Sequence, residues 1–242
     1  MPVTTGAALV VVLVSLVVVN VWVHVGPRRA HLVTGPLGAV GLIAVARVAG
    51  LSWADLGLSV AQVIPGLAYG AVAVGSIALV YAVGSALPLT RRAFLDTRYR
   101  IPMRAAVLMS LVTIPLSTVV FEEVAFRSVL WGLLEADHGT VTATVGTSVL
   151  FGLWHILPAL VVTDTSTAIK DSGPAGRRRM VLTVLGTVVF TALAGVVFAE
   201  LRRRSGSLVA PLLLHWATNG LAVVAASRLW KVSPPTPAAP PS

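Results

Sequence analysis

Six polar side chains stand where the surrounding sequence is otherwise apolar. Glu122, Glu123 and Arg127 lie in VVFEEVAFRSVL, His155 lies in LFGLWHILPAL four residues after Phe151, and His215 and Asn219 lie in APLLLHWATNGL. A charge at the centre of a membrane helix costs about 2.5 to 3.5 kcal/mol on insertion scales, so such residues usually pair, line a wet cavity or do chemistry. On a helix, Glu123 and Arg127 are i,i+4 neighbours that can form an ion pair, while Glu122 points about 100° away. His215 and Asn219 are also i,i+4, which stacks an imidazole and an amide on one face. A carboxylate, two imidazoles and an amide from three helices can converge on one buried polar pocket.

Amide hydrolysis needs that inventory: an activated water, donors for the developing oxyanion and a proton for the leaving amine. Glu122 with His155 fits the first role, His215 with Asn219 fits the oxyanion donors, and Glu123 with Arg127 forms a supporting pair. Glu122, His155 and His215 could equally supply the carboxylate and two imidazoles of a catalytic zinc site. Asn219 beside His215 tilts the reading toward water activated without a metal. Each residue also has a plainer explanation. Glu123 and Arg127 alone could be a packing clamp, His155 could bond a backbone carbonyl, and Asn219 could be ordinary interhelical glue. The set, rather than any member, argues for chemistry.

The elements that must position these groups are membrane helices. Hydrophobic residues make up 56% of the 242 and charged residues 11%, which excludes a soluble globule. Stretches of about 20 apolar residues, the length a bilayer requires, fall near 5–25, 32–50, 62–87, 105–134, 140–162, 180–200 and 208–230. The expected fold is an all-α, polytopic bundle of seven to eight transmembrane helices, the fourth stretch being long enough to tilt or break. Residues 1–104 form N-terminal spans, 105–230 the site-bearing core and 231–242 a proline-rich tail with no fold of its own. The segment LSWADLGLS, 51–59, reads as a short interfacial connection. No Lys or Arg precedes the first apolar run, so it reads as a retained span rather than a signal peptide. There is no cysteine, hence no disulfide, thiolate metal site or thiol nucleophile.

The net charge of +9 does not indicate nucleic acid, because the basic residues sit in short connections beside apolar spans. Arg28, Arg29, Arg91, Arg92, Arg98, Arg100, Arg104, Lys170, Arg177, Arg178, Arg179, Arg228 and Lys231 follow odd-numbered spans; Arg47, Arg202, Arg203 and Arg204 follow even-numbered ones. The positive-inside rule then puts the C-terminus in the cytoplasm, with Arg202 to Arg204 as an exception.

The pattern resembles the CAAX prenyl protease and bacteriocin-processing (CPBP, or Abi) family of intramembrane proteases. Its three motifs occur in order: E-E-x-x-x-R at Glu122, Glu123 and Arg127; F-x-x-x-H at Phe151 and His155; H-x-x-x-N at His215 and Asn219. The resemblance covers roughly residues 105 to 225 and implies a helical bundle that cleaves peptide bonds within the membrane. It points to a peptide or protein substrate, in some members beside a prenylated cysteine, and to a bacterial plasma-membrane location. The family is often described as metalloproteases, which leaves zinc open as a cofactor. The alternative is a non-catalytic binding, transport or bacteriocin-immunity protein with the same polar pocket. Transporters usually show broken helices and internal repeats, and the sequence shows neither. The sequence also lacks the H-E-x-x-H, G-x-S-G and G-x-G-D signatures of other membrane protease chemistries.

Overall fold

Runs of Val, Leu, Ala and Gly satisfy their backbone hydrogen bonds only within themselves when no water is present, so they fold as helices. The computed structural model describes residues 4–27, 30–165 and 176–232. Among these, six helices are long and apolar enough to cross a membrane, and one of them, Met103–Leu160, folds back on itself at Gly139. The rods are α1 (Thr5–Val25), α2 (His31–Val48), α3 (Val63–Ala86), α4 (103–138), α5 (140–154) with its continuation α6 (Ile156–Thr165), α7 (Arg177–Ser205) and α8 (Val209–Lys231). The described chain is thus a seven-rod helical membrane bundle. The proline-rich tail from residue 233 lies outside the described residues.

Gly139 makes the reversal, with φ +77° and ψ 169°, a region open to glycine and costly for other residues. Beyond it Trp131 donates from Nε1 to Thr144 Oγ1 at 3.4 Å, and the rings of Phe126 and Phe151 meet at 5.2 Å between centroids. A straight helix would hold those two phenylalanines about 38 Å apart. The fourth span does not break in two. It runs as one rod whose turns widen to π-helix over Met109–Thr113, Pro115–Val119 and Val124–Leu130, and α8 does the same over Ala217–Leu221. Such turns are rare and recur at functional sites. Here they occupy α4 and α8, two of the three elements that carry ionisable motif residues.

The polarity of the bundle is that of a lipid-solvated protein. Val14, Val17, Val40, Phe190 and Leu193 face outward, while Glu123 and Arg127 have no exposed surface at all. The apolar core joins Val12 and Leu16 of α1 and Leu42 of α2 to Phe121, Phe126 and Val129 of α4. Close approach is made by small residues, as expected where lipid removes the hydrophobic drive between helices. A Cβ on Gly152 of α5 would stand 2.7 Å from the Val188 carbonyl of α7, and one on Gly195 would stand 2.9 Å from Ser148 Cα.

The connections gather at two ends. At one end the 51–59 segment does more than lie at an interface: Leu56 is fully buried, its carbonyl accepts from Ser128 Oγ at 2.7 Å, and the Gly57 carbonyl accepts from Leu208 N–H at 2.9 Å. Ser52 hydrogen bonds hold the Asp55 carboxyl below its usual range. Arg202 reaches across to the Asp55 carbonyl at 2.7 Å and stacks on Trp131, while Arg203 and Arg204 both pair with Glu200. These contacts account for the three arginines that depart from the charge rule. Arg202 is a clamp between α7 and the 51–59 segment, and the other two are matched by a neighbouring carboxylate.

At the opposite end the segment 88–104 packs on α8, where Trp230 Nε1 donates to the Asp96 carbonyl at 2.9 Å and Ser227 Oγ to the Ile101 carbonyl at 2.8 Å. Arg91, Arg92, Arg98, Arg100, Arg104, Arg177, Arg178, Arg179, Arg228 and Lys231 belong to this end; Arg28, Arg29 and Lys170 lie outside the described residues. The two ends therefore differ strongly in charge.

Candidate active site

Glu122 and Glu123 leave α4 just before the third π-helical stretch, and Arg127 lies inside it. Arg127 Nη1 donates to Glu123 Oε1 at 3.3 Å, both side chains being fully buried. The guanidinium lies over the ring of Phe151 at 3.9 Å and that of Phe198 at 4.7 Å. Its Nε and Nη2 have no hydrogen-bond partner. Aromatic faces therefore do much of the solvating, a contribution worth about 2 kcal/mol where water is excluded.

The same Glu123 oxygen receives His215 Nδ1 at 2.8 Å, a contact joining α4 to α8. A carboxylate can only accept, so Nδ1 carries a proton and the ring is fixed with Nε2 facing the other way. Phe198 of α7 stacks on that ring at 5.3 Å. Nε2 points to Glu122, lying 3.9 Å from its Oε2. The two neighbouring glutamates thus hold opposite edges of one imidazole, in accord with the 100° between them.

His155 arrives from a helix end. Its φ of −86° and ψ of 6° interrupt the rod between Trp154 and Ile156. Its Nδ1 lies 2.7 Å from the Phe151 carbonyl and so donates, leaving Nε2 free to face Glu122 Oε2 at 4.0 Å. Phe151 packs its edge against the ring at 4.6 Å. Phe151 therefore serves twice, as carbonyl acceptor for His155 and as a face for Arg127.

Two imidazole Nε2 atoms converge on a carboxylate oxygen that has no hydrogen-bond partner of its own. Separations of 3.9 and 4.0 Å exceed a direct hydrogen bond and suit one bridging water. The donors are also of the type zinc takes, but ligands about 2.0 to 2.1 Å from a tetrahedral zinc lie roughly 3.4 Å from one another. Among the described residues no trio of His, Cys, Asp or Glu stands at coordinating separations.

Asn219 stands in the π-helical stretch of α8. It is exposed and lines, with His155, His215, Tyr81, Phe198 and Thr218, a cavity of about 610 Å³ beside this centre. The cavity continues to Val80, Phe190 and Leu193, which look toward lipid.

Two residues carry no warning in the sequence. Phe198 sits in the apolar middle stretch of α7, and nothing marks its ring as the one beside His215. Asn20, in the second half of α1, donates from Nδ2 to the Trp154 carbonyl at 2.9 Å, at the interruption that places His155. Asn20→Leu should keep the fold and slow the reaction that His155 serves by roughly tenfold, the worth of one hydrogen bond of about 1.4 kcal/mol. Rate and melting temperature measured together check this: a lower rate with unchanged melting is expected, and an unchanged rate leaves Asn20 with packing alone.

Residues 104–221, from the start of α4 into α8, match the family model described as Type II CAAX prenyl endopeptidase Rce1-like. That segment contains all seven of the motif residues. No curated protein and no solved structure matches the chain.

Proposed function

We propose that this chain, whose residues 104–221 match the Rce1-like family model of CAAX endopeptidases, hydrolyses a peptide bond within the membrane by means of Glu122 and the two imidazoles. The observation that carries this reading is the convergence of both Nε2 atoms on an unpartnered Glu122 oxygen. A water held there gives one proton to Glu122 as its oxygen bonds to the scissile carbonyl carbon. Glu122 then returns that proton to the leaving nitrogen as the C–N bond breaks. The oxyanion is met by Asn219 from the cavity wall and by His215, whose Nε2 donates when the ring, bonded at Nδ1 to Glu123, is an imidazolium. Glu123 and Arg127 are positioning residues that act through His215.

The substrate is a peptide or protein segment reaching the site within the membrane. Val80, Phe190 and Leu193 at the cavity edge support entry from the lipid side, which suits a membrane-anchored and, as the family description indicates, prenylated substrate. Proteomics of membrane fractions from cells with the wild type or Glu122→Gln tests the function. Peptides that accumulate uncut only with the variant support it, and identical membrane peptidomes would defeat it.

A zinc reading is favoured by one fact: with both Nδ1 atoms committed as donors, the neutral rings turn their Nε2 lone pairs toward Glu122. Glu122, His155 and His215 would hold the ion after closing by about half an ångström, and it would polarise the carbonyl and acidify water. Elemental analysis of purified protein before and after chelation is expected to show less than one-tenth equivalent of metal. Stoichiometric zinc lost in His155→Ala and in His215→Ala would replace the metal-free mechanism with the metal one.

The segregation of cations supports placing the 88–104 segment and the C-terminus in the cytoplasm. With no native cysteine to interfere, Thr97→Cys should be labelled by an impermeant maleimide only after the membrane is opened. Labelling of intact cells would reverse the orientation.

A further inference from the structure

The widened turn of α8 that carries Asn219, Ala217–Leu221, is held from two sides. On one side it meets α4: Trp216 Nε1 donates to the Ser110 carbonyl at 2.9 Å, and a Cβ on Gly220 would stand 2.6 Å from Ser110 Oγ. On the other side it meets α3, where the Tyr81 hydroxyl donates to the Thr218 carbonyl at 2.6 Å. Thr218 is tied within its own helix as well, its Oγ1 donating to the His215 carbonyl at 2.8 Å. Tyr81 in turn is braced by Phe94 of the 88–104 segment, the two rings meeting edge to face at 5.5 Å between centroids.

The Thr218 carbonyl belongs to the peptide unit that ends in the nitrogen and Cα of Asn219, and a peptide unit is planar. Holding its oxygen therefore sets the direction in which the Asn219 side chain leaves the backbone. That direction matters because Asn219 is exposed on the wall of the active-site cavity, which Tyr81 also lines. We propose that Tyr81 is a positioning residue of the reaction, which through the Thr218 peptide aims the Asn219 amide at the oxyanion. The inference rests on the role given to Asn219 above. A donor aimed before the charge develops needs no reorganisation when it does, and that is where an oxyanion site gains its effect. The Tyr81 hydroxyl has its proton committed to a carbonyl, so it acts through Asn219 and not as an acid.

Tyr81→Phe keeps the ring against Phe94 and removes this one bond. With a defined peptide substrate, kcat should fall roughly tenfold at unchanged KM, the worth of one hydrogen bond. In an Asn219→Ala background the same change should cost less than about twofold, since no amide is left to aim. A second readout needs no proteolysis. The chain has two asparagines, Asn20 and Asn219, so full-length protein labelled with nitrogen-15 asparagine gives two side-chain amide signals, and Asn219→Ala assigns them. Tyr81→Phe should move the Asn219 signal and leave that of Asn20 in place. Ser227→Ala removes a different hydrogen bond of α8, to the Ile101 carbonyl, and should change neither the Asn219 signal nor the rate. An unmoved Asn219 signal in Tyr81→Phe would overturn the proposal. So would a tenfold loss that persists in the Asn219→Ala background, which would put Tyr81 on the substrate or in the fold alone. If Asn219→Ala by itself left the rate unchanged, the oxyanion role of Asn219 would fall, and the spectra would still decide whether Tyr81 aims its amide.

Discussion

Glu122→Gln is expected to lower cleavage of a peptide substrate by about two to four orders of magnitude, the usual share of general-base catalysis, while leaving the fold intact. Both halves of that expectation come from the geometry. Gln keeps the volume and the carbonyl oxygen of Glu122 but cannot take a proton from water. Stability should hold because Glu122 Oε2 has no hydrogen-bond partner to lose, and the nearest imidazole nitrogens are 3.9 and 4.0 Å away. Turnover of a defined peptide and thermal unfolding in the same detergent make the check. A drop below tenfold would remove Glu122 from the proton path. Full activity would remove the hydrolytic mechanism altogether and leave a membrane binding module.

The spans were legible because the bilayer writes its thickness into sequence. Among the described residues, each membrane-length rod begins and ends within a few residues of an apolar run of about 20, except α4 and α7, which extend several residues beyond theirs. The reversal at Gly139 was legible as the polar gap EADHG between two such runs. Spacing also suggested that Glu123 and Arg127 would meet, since i,i+4 neighbours do so on any helix, and the 3.3 Å contact survives the π-helical turn in which Arg127 lies. What spacing could not show was how α4 and α8 are rotated relative to each other. The 2.8 Å bond from His215 to Glu123 depends on that rotation and on wide turns that no residue pattern announces. Glu123 was therefore read as Arg127's partner only, when it is also the acceptor that fixes His215. Arg202 was illegible for a similar reason. Its carbonyl acceptors belong to a connection far away in sequence, so the charge rule registered it only as an exception.

The second large effect is expected at Arg127, and here the loss should fall on folding. Removing one member of a fully buried ion pair leaves the other charge without compensation, at a cost of about 3 to 5 kcal/mol. Arg127→Ala leaves Glu123 with His215 as its partner and leaves Phe151 and Phe198 facing a hole where the guanidinium lay at 3.9 and 4.7 Å. The yield of monodisperse protein and its melting temperature should both fall. Arg127→Lys separates the two causes. An ammonium restores the charge beside Glu123 but is a compact point charge that cannot lie flat between two rings, so it should recover only part of the stability. Arg127→Met is the converse: it fills the hole and restores no charge, and should be the less stable of the two if the ion pair dominates. If Arg127→Ala were as stable as the wild type yet inactive, the guanidinium would be acting on the substrate itself, and Arg127 would become a catalytic residue instead of the support for Glu123 and His215.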